Sequence, residues 1–163
     1  MGLFASVSQR LVAGLILLLS VATVALADDM EGTFRIVKRE LPDGTVQTPP
    51  TVAGQWTMVN GYRQLNVFWH TPEGKPASAG GLWTYRISSN EYTETLIYLA
   101  VDDGSGKPVS YNVSGETKSV DVTRKGRRVS YKLPFDPPSV VFEGDRMTAT
   151  LEGVFVDYWE RVK

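Results

Sequence analysis

The sequence predicts an all-β protein, an antiparallel up-and-down meander closing into a barrel of about 8-10 strands. Three observations lead there. No stretch after Asp28 keeps apolar residues at helical spacing for three turns, whereas short runs rich in Val, Thr, Tyr and Trp alternate apolar with polar side chains. Turn chemistry interrupts these runs about every eight to twelve residues. The breaks are Pro42-Asp43-Gly44, Asn60-Gly61, Pro72-Glu73-Gly74, Ser89-Asn90, Asp102-Asp103-Gly104, Lys125-Gly126, Asp136-Pro137-Pro138 and Gly144-Asp145. Finally, the longest turn-like stretches, near residues 41–51 and 102–108, are modest. Strands joined so locally, with no helix to cover a sheet, hide their edges by closing on themselves, and a Greek-key sandwich would need longer crossings.

The chain opens with a segment of a different kind. Residues 1–10 carry a single charge, Arg10, and lead into uncharged residues 11–27 that end in Ala25-Leu26-Ala27 before Asp28-Asp29. A short apolar run closed by a small-x-small site is the pattern of a secretory signal peptide. The expected division is therefore 1–27 signal peptide and 28–163 barrel domain, with the mature protein secreted or periplasmic. No second apolar run offers a membrane span, and the absence of Cys leaves no lipid-anchored alternative.

Composition narrows the chemistry. The 163 residues hold 17 Lys+Arg against 18 Asp+Glu, one His and no Cys. This excludes disulfides and thiolate chemistry, and a near-neutral charge gives no field for nucleic acid. Four Trp, seven Tyr and six Phe are enough to build a core or line a cavity.

The strands can be set in register from their turns, because a two-residue loop fixes which residues pair and the period-2 pleat fixes which faces they share. Asn60-Gly61 pairs Val59 with Tyr62, Trp56 with Leu65 and Met58 with Arg63, and puts Trp56, Met58, Leu65, Val67 and Trp69 on one face. Ser89-Asn90 pairs Ser88 with Glu91, Tyr85 with Glu94, Trp83 with Leu96 and Gly81 with Tyr98. Lys125-Gly126 pairs Val122 with Val129 and Val120 with Tyr131. Gly144-Asp145 pairs Phe142 with Met147 and Val140 with Ala149. In the Asn60-Gly61, Lys125-Gly126 and Gly144-Asp145 hairpins the apolar faces coincide, which indicates successive hairpins sharing one buried face.

Glu94 stands out in this frame as a carboxylate among aromatics, with Arg63 as its counter-charge. A buried carboxylate is costly unless paired or protonated, so it is a site candidate. His70 ends the Tyr62–His70 run beside Thr71-Pro72 as a solvated strand end, with no Gly-x-Ser-x-Gly elbow or metal-spaced partner. Asp102-Asp103-Gly104-Ser105-Gly106-Lys107 lacks both calcium-loop and phosphate-loop spacing and reads as a turn. Arg124, Lys125, Arg127 and Arg128 concentrate charge at one hairpin tip, and Asn112-Val113-Ser114 is a glycosylation sequon in a source that modifies secreted proteins.

Gly32-Thr33-Phe34 on the first strand and Trp159-Glu160-Arg161 on the last occupy the places of the Gly-x-Trp opening and closing Arg of lipocalins. With Gly61-Tyr62-Arg63, Asn66-Val67-Phe68-Trp69 and Tyr92-Thr93-Glu94, they make residues 31–163 resemble the bacterial lipocalin-like domain family, a calycin-type barrel. The resemblance implies a cavity for a small, mainly apolar ligand. The opening Trp is Phe34 here, and the Arg-x-Tyr pair with which fatty-acid-binding relatives hold a carboxylate has no match in Arg161-Val162-Lys163, so no fatty-acid site is implied. The functional expectation is a binding module without turnover, cofactor or metal. Its ligand-binding candidates are Trp56, Arg63, Trp69, Trp83, Tyr85, Glu94, Tyr98 and Tyr131. Two alternatives stand beside it: a packed-barrel interaction protein, and a barrel isomerase or cyclase using Glu94 as general base with Tyr85 or Tyr98.

Overall fold

A computed structural model describes residues 29–163; the expected signal peptide lies outside the described residues. Thirteen antiparallel strands form one sheet that curls into an open half-barrel, with no helix among the described residues. They are β1 (Gly32–Glu40), β2 (Val46–Gln47), β3 (Val52–Val59), β4 (Tyr62–His70), β5 (Pro76–Ile87), β6 (Glu91–Asp102), β7 (Ser110–Asn112), β8 (Thr117–Asp121), β9 (Thr123–Lys125), β10 (Arg128–Lys132), β11 (Ser139–Glu143), β12 (Arg146–Leu151) and β13 (Phe155–Arg161). The order is β7-β6-β5-β4-β3-β1-β13-β12-β11-β10-β9, so along this path sequence neighbours pair except where β1 joins β13 and β3. The strand count exceeds the expected 8-10 because short strands accompany the long ones: β2 pairs β1, and β8 pairs β6. Residues 117–125 change partner midway. Thr117–Asp121 pairs with β6, Val122 donates its N–H to the Asn90 carbonyl at 2.8 Å, and Thr123–Lys125 pairs with β10.

Turn chemistry explains which registers follow the sequence reading. At Asn60-Gly61 both residues have positive φ, 50° and 76°. That is the requirement of a type I′ hairpin, and Trp56↔Leu65 and Met58↔Arg63 follow. Gly144-Asp145 puts its glycine first, with φ 61°, and pairs Phe142 with Met147 and Val140 with Ala149. Ser88 likewise donates its N–H to the Glu91 carbonyl, with Tyr85↔Glu94 and Trp83↔Leu96 in register.

Two registers differ from expectation. The turn expected at Lys125-Gly126 is instead Gly126-Arg127, so Arg124, not Val122, stands opposite Val129, and Thr123 stands opposite Ser130. Gly126, at φ 60°, takes the first central position, as Gly144 does, and this matches the glycine-first pattern of a type II′ turn. Val120 does not meet Tyr131 because β8 pairs with β6, placing Val120 opposite Tyr92. In the second case β6 carries an extra residue: Trp83 pairs with Leu96 but Leu82 with Tyr98, leaving Ile97 as a bulge. Gly81 therefore meets Leu99, not Tyr98. Beyond the bulge the pleat is inverted, so Leu99 and Val101 reach the concave side while Tyr98 is exposed.

The core fills one end of the concave face. Phe34 and Trp56 meet Phe142 edge-on at 5.6 and 6.4 Å, and Trp56 meets Trp159 at 6.4 Å. Tyr85, Tyr92, Tyr131 and Phe142 continue as a stack with centroid spacings of 5.8, 4.2 and 6.2 Å. Such offset and edge contacts add to the burial of large apolar area. Gly81 serves this packing: a Cβ there would run into the Trp83 indole. Arg161, opposite Phe34 in register, lays its guanidinium over the Phe34 ring at 4.6 Å and donates to the carbonyls of Asp29, Glu31 and Gly144, closing this end.

Candidate functional site

The concave side divides into a packed plug and an open cup. Inside the plug lies an ion cluster built by register. β4 turns Arg63 to the same face as Trp56, and β6 turns Glu94 toward it. Arg63 and Glu94 are both fully buried. Nε of Arg63 donates to Glu94 Oε1, and its Nη2 donates to Glu94 Oε2 at 3.3 Å and to Asp136 Oδ2 at 3.0 Å. Tyr92 Oη donates to Glu94 Oε1 at 2.6 Å. The guanidinium lies between Trp83 at 3.6 Å and Trp56 at 4.7 Å, an arrangement that suits its weakly hydrated planar charge. Burial opposes charge on Arg63, but attraction to Glu94 and Asp136 outweighs it and holds the guanidinium above its ordinary range. Burial pushes the Glu94 carboxyl up, against the pull of Arg63 and the Tyr92 hydrogen bond. Burial also raises the Tyr92 and Tyr131 phenols well above their usual range.

The cup is a cavity of about 440 Å³. Leu41, Leu65, Val67, Trp69, Leu99, Val101, Leu133, Leu151, Val154 and Phe155 give it an apolar wall, and Trp56 and Trp159 form its border with the plug. This volume lies in the range of small-molecule sites, which combine an apolar lining with a few placed polar groups. One such group is the Arg39–Asp157 pair. The two residues stand opposite each other in register and bond bidentately, Nε to Oδ1 at 2.6 Å and Nη2 to Oδ2 at 2.8 Å. Phe155 and Trp69 flank the guanidinium at 4.2 and 5.3 Å. Burial pushes the Asp157 carboxyl up, opposed by Arg39. Another is Asp136, which lines the cavity with Gln47, His70 and Thr71 and reaches back to Arg63.

Of the eight sequence candidates, Trp56 and Trp69 line the cup. Arg63, Trp83, Tyr85, Glu94 and Tyr131 are brought together, but as packed plug rather than cavity wall. The surroundings of Glu94 are thus occupied by its own neighbours, and its side chain has no exposed surface. Tyr98 belongs to neither group. The bulge at Ile97 sends it to the outer face, where it lines a groove with Phe68, Gly80 and Ala100. His70 is half-buried rather than solvated, its Nδ1 at 3.2 Å from the Thr51 carbonyl and its ring edge-on to Phe68.

Sequence reasoning missed Arg39, Asp136 and Asp157. Asp157 had a readable signal, since Phe155 and Trp159 flank it at two-residue spacing and put it on the apolar face. Arg39 did not: strict alternation from Phe34 and Ile36 points Lys38 inward, and a register shift between Ile36 and Lys38 brings Arg39 there instead. Asp136 reads as part of a turn, and only the fold reveals its ion pair. Among the described residues no group of His, Cys, Asp or Glu could hold a metal ion, and no helix is long and apolar enough to cross a membrane.

Comparison with known proteins finds no family model that matches the chain and no curated protein that matches it.

Proposed function

We propose that the chain is an exported lipocalin-like protein that sequesters or carries a small, mainly apolar molecule in the cup. In this reading residues 1–27 direct export and are removed. The sheet closes as a barrel through residues 117–125, whose two halves hydrogen-bond to β6 and β10. The observation that carries the proposal is the 440 Å³ apolar cavity beside a core that is already packed. A chain needing only stability could fill that space, whereas here Trp69, Phe155 and the leucines surround it. No covalent chemistry is required of any residue, and the role is retention without turnover.

The test is titration of the mature protein with N-phenyl-1-naphthylamine, a neutral apolar fluorophore, together with mass spectrometry of natively purified protein. Saturable binding at one site, with quenching of Trp69 and loss in Leu99→Trp, supports the reading. No binding and no retained small molecule overturns it. A second reading, an interaction protein working through its outer surface, draws on the exposed apolar side chains of Val109, Tyr111 and Val113. An intact mass that still includes residues 1–27 would count against export with cleavage.

A further inference from the structure

Among the described residues the buried charged groups are Arg39, Arg63, Glu94 and Asp157. Asp136 joins them as the partly buried carboxylate on Arg63, its side chain 14% exposed. Two cations thus face three carboxylates. The imbalance has a definite place. Arg39 and Asp157 close one-to-one, two hydrogen bonds deep and flanked by rings, and leave no net charge. Arg63 alone serves both Glu94 and Asp136, so the surplus negative charge belongs to that cluster.

Glu94 is enclosed, with both oxygens held by Arg63 and one also by Tyr92. Asp136 is the member of the cluster that lines the cavity, and only its Oδ2 is engaged by a described residue. A carboxylate oxygen offered to an apolar, low-dielectric space attracts a hydrogen-bond donor, and a cation most of all. An ammonium group entering an apolar cavity loses hydration that is recovered only by pairing, and Asp136 supplies that partner. An alkyl carboxylate would bring a second negative charge to the same place.

We propose that the cup selects apolar amines, taking the ammonium group onto Asp136 and the hydrocarbon against Leu133, Leu151 and Val101. This rests on the cavity reading above and adds the ligand's charge to it. The head group completes the charge balance that the chain's own residues leave open.

Displacement of bound N-phenyl-1-naphthylamine by decylamine, decanol and decanoate tests the two proposals separately. The three have the same chain length and differ in the head group. The expected result is that decylamine displaces the fluorophore at a concentration at least tenfold below either of the others, and that Asp136→Asn brings amine and alcohol to within twofold while the fluorophore still binds. Failure of the fluorophore itself to bind overturns the cavity reading. If it binds, but decanol or decanoate competes as well as decylamine, the amine selectivity is wrong, and equality of amine and alcohol would mean that a proton supplies the missing charge. Retained amine preference in a folded Asp136→Asn protein would remove Asp136 from the role. Should that variant fail to fold, the order of the three ligands on the unmodified protein decides the question alone.

Discussion

The plug and the cup are made from the same strands, yet one is filled and the other is open. Met58, Arg63 and Trp83 sit in the plug, while Leu65, Val67, Trp69, Ala79 and Val101, on the same β4, β5 and β6 strands or their neighbours, face the cavity. Alternation, reset by the Ile97 bulge in the case of Val101, brings every one of these side chains to the concave side. What differs is their size and partnering. Seven aromatic side chains contact one another in the plug, whereas the cup is walled mainly by branched aliphatics that do not reach across. The lesson is that inward direction and occupied space are separate properties: the pleat governs the first and side-chain volume the second.

The largest expected effect is on the plug's ion cluster. Glu94→Gln removes the main counter-charge of a fully buried guanidinium and should destabilise by about 3–5 kcal/mol. Chemical denaturation measures it. A loss below about 0.5 kcal/mol, the scale of surface substitutions, would show that the cluster is hydrated and that the plug is not a plug.

The contrast between the two ends is sharpened by truncation. Phe142→Ala opens a hole among Phe34, Trp56 and Tyr131 and should cost about 3–5 kcal/mol. Val101→Ala merely enlarges an existing cavity, removes little packing, and should cost about 1 kcal/mol or less. Equal losses at the two positions would mean that the ends are equally packed.

The smallest effect concerns Tyr131, whose Oη is buried with no partner among the described residues. Its phenol is raised well above the ordinary value of 10.0, so the folded state keeps a proton that the unfolded state releases. The stability this provides is whole below the unfolded value and falls as pH rises above it. Tyr131→Phe should therefore be within about 0.5 kcal/mol of the parent near neutrality. By about pH 11 it should be more stable than the parent by about 1 kcal/mol. Melting curves of the two proteins at both pH values measure the difference. Parallel alkaline losses would show that Tyr131 reaches solvent.

Much of this arrangement was legible before any coordinates. The Asn60-Gly61, Ser89-Asn90 and Gly144-Asp145 turns specify their registers through local backbone chemistry, so Trp56↔Leu65, Tyr85↔Glu94 and Phe142↔Met147 follow from neighbouring residues alone. The meeting of Arg63 with Glu94 was also readable, because two hairpins place both on the concave face and opposite charges attract there. Asp157 could have been read from Phe155 and Trp159 on either side.

The rest was decided by tertiary structure. A bulge shifts the face of every later residue, and neither the extra Ile97, which sends Tyr98 outward, nor the irregularity that brings Arg39 inward has a signature in hydrophobic alternation. The switch of partner at Val122 likewise depends on where β6 begins relative to β10. Above all, the separation into plug and cup depends on how side-chain volumes add up across a curved sheet, and on Asp136 returning from a distant turn to Arg63. By itself the sequence determined the all-β class, most hairpin registers and the presence of a buried charge among aromatics, because these are set by turns and by period-2 patterning. Where the empty space lies, and which carboxylate faces it, only the assembled sheet could decide, because packing is a property of side chains that meet across strands and not along them.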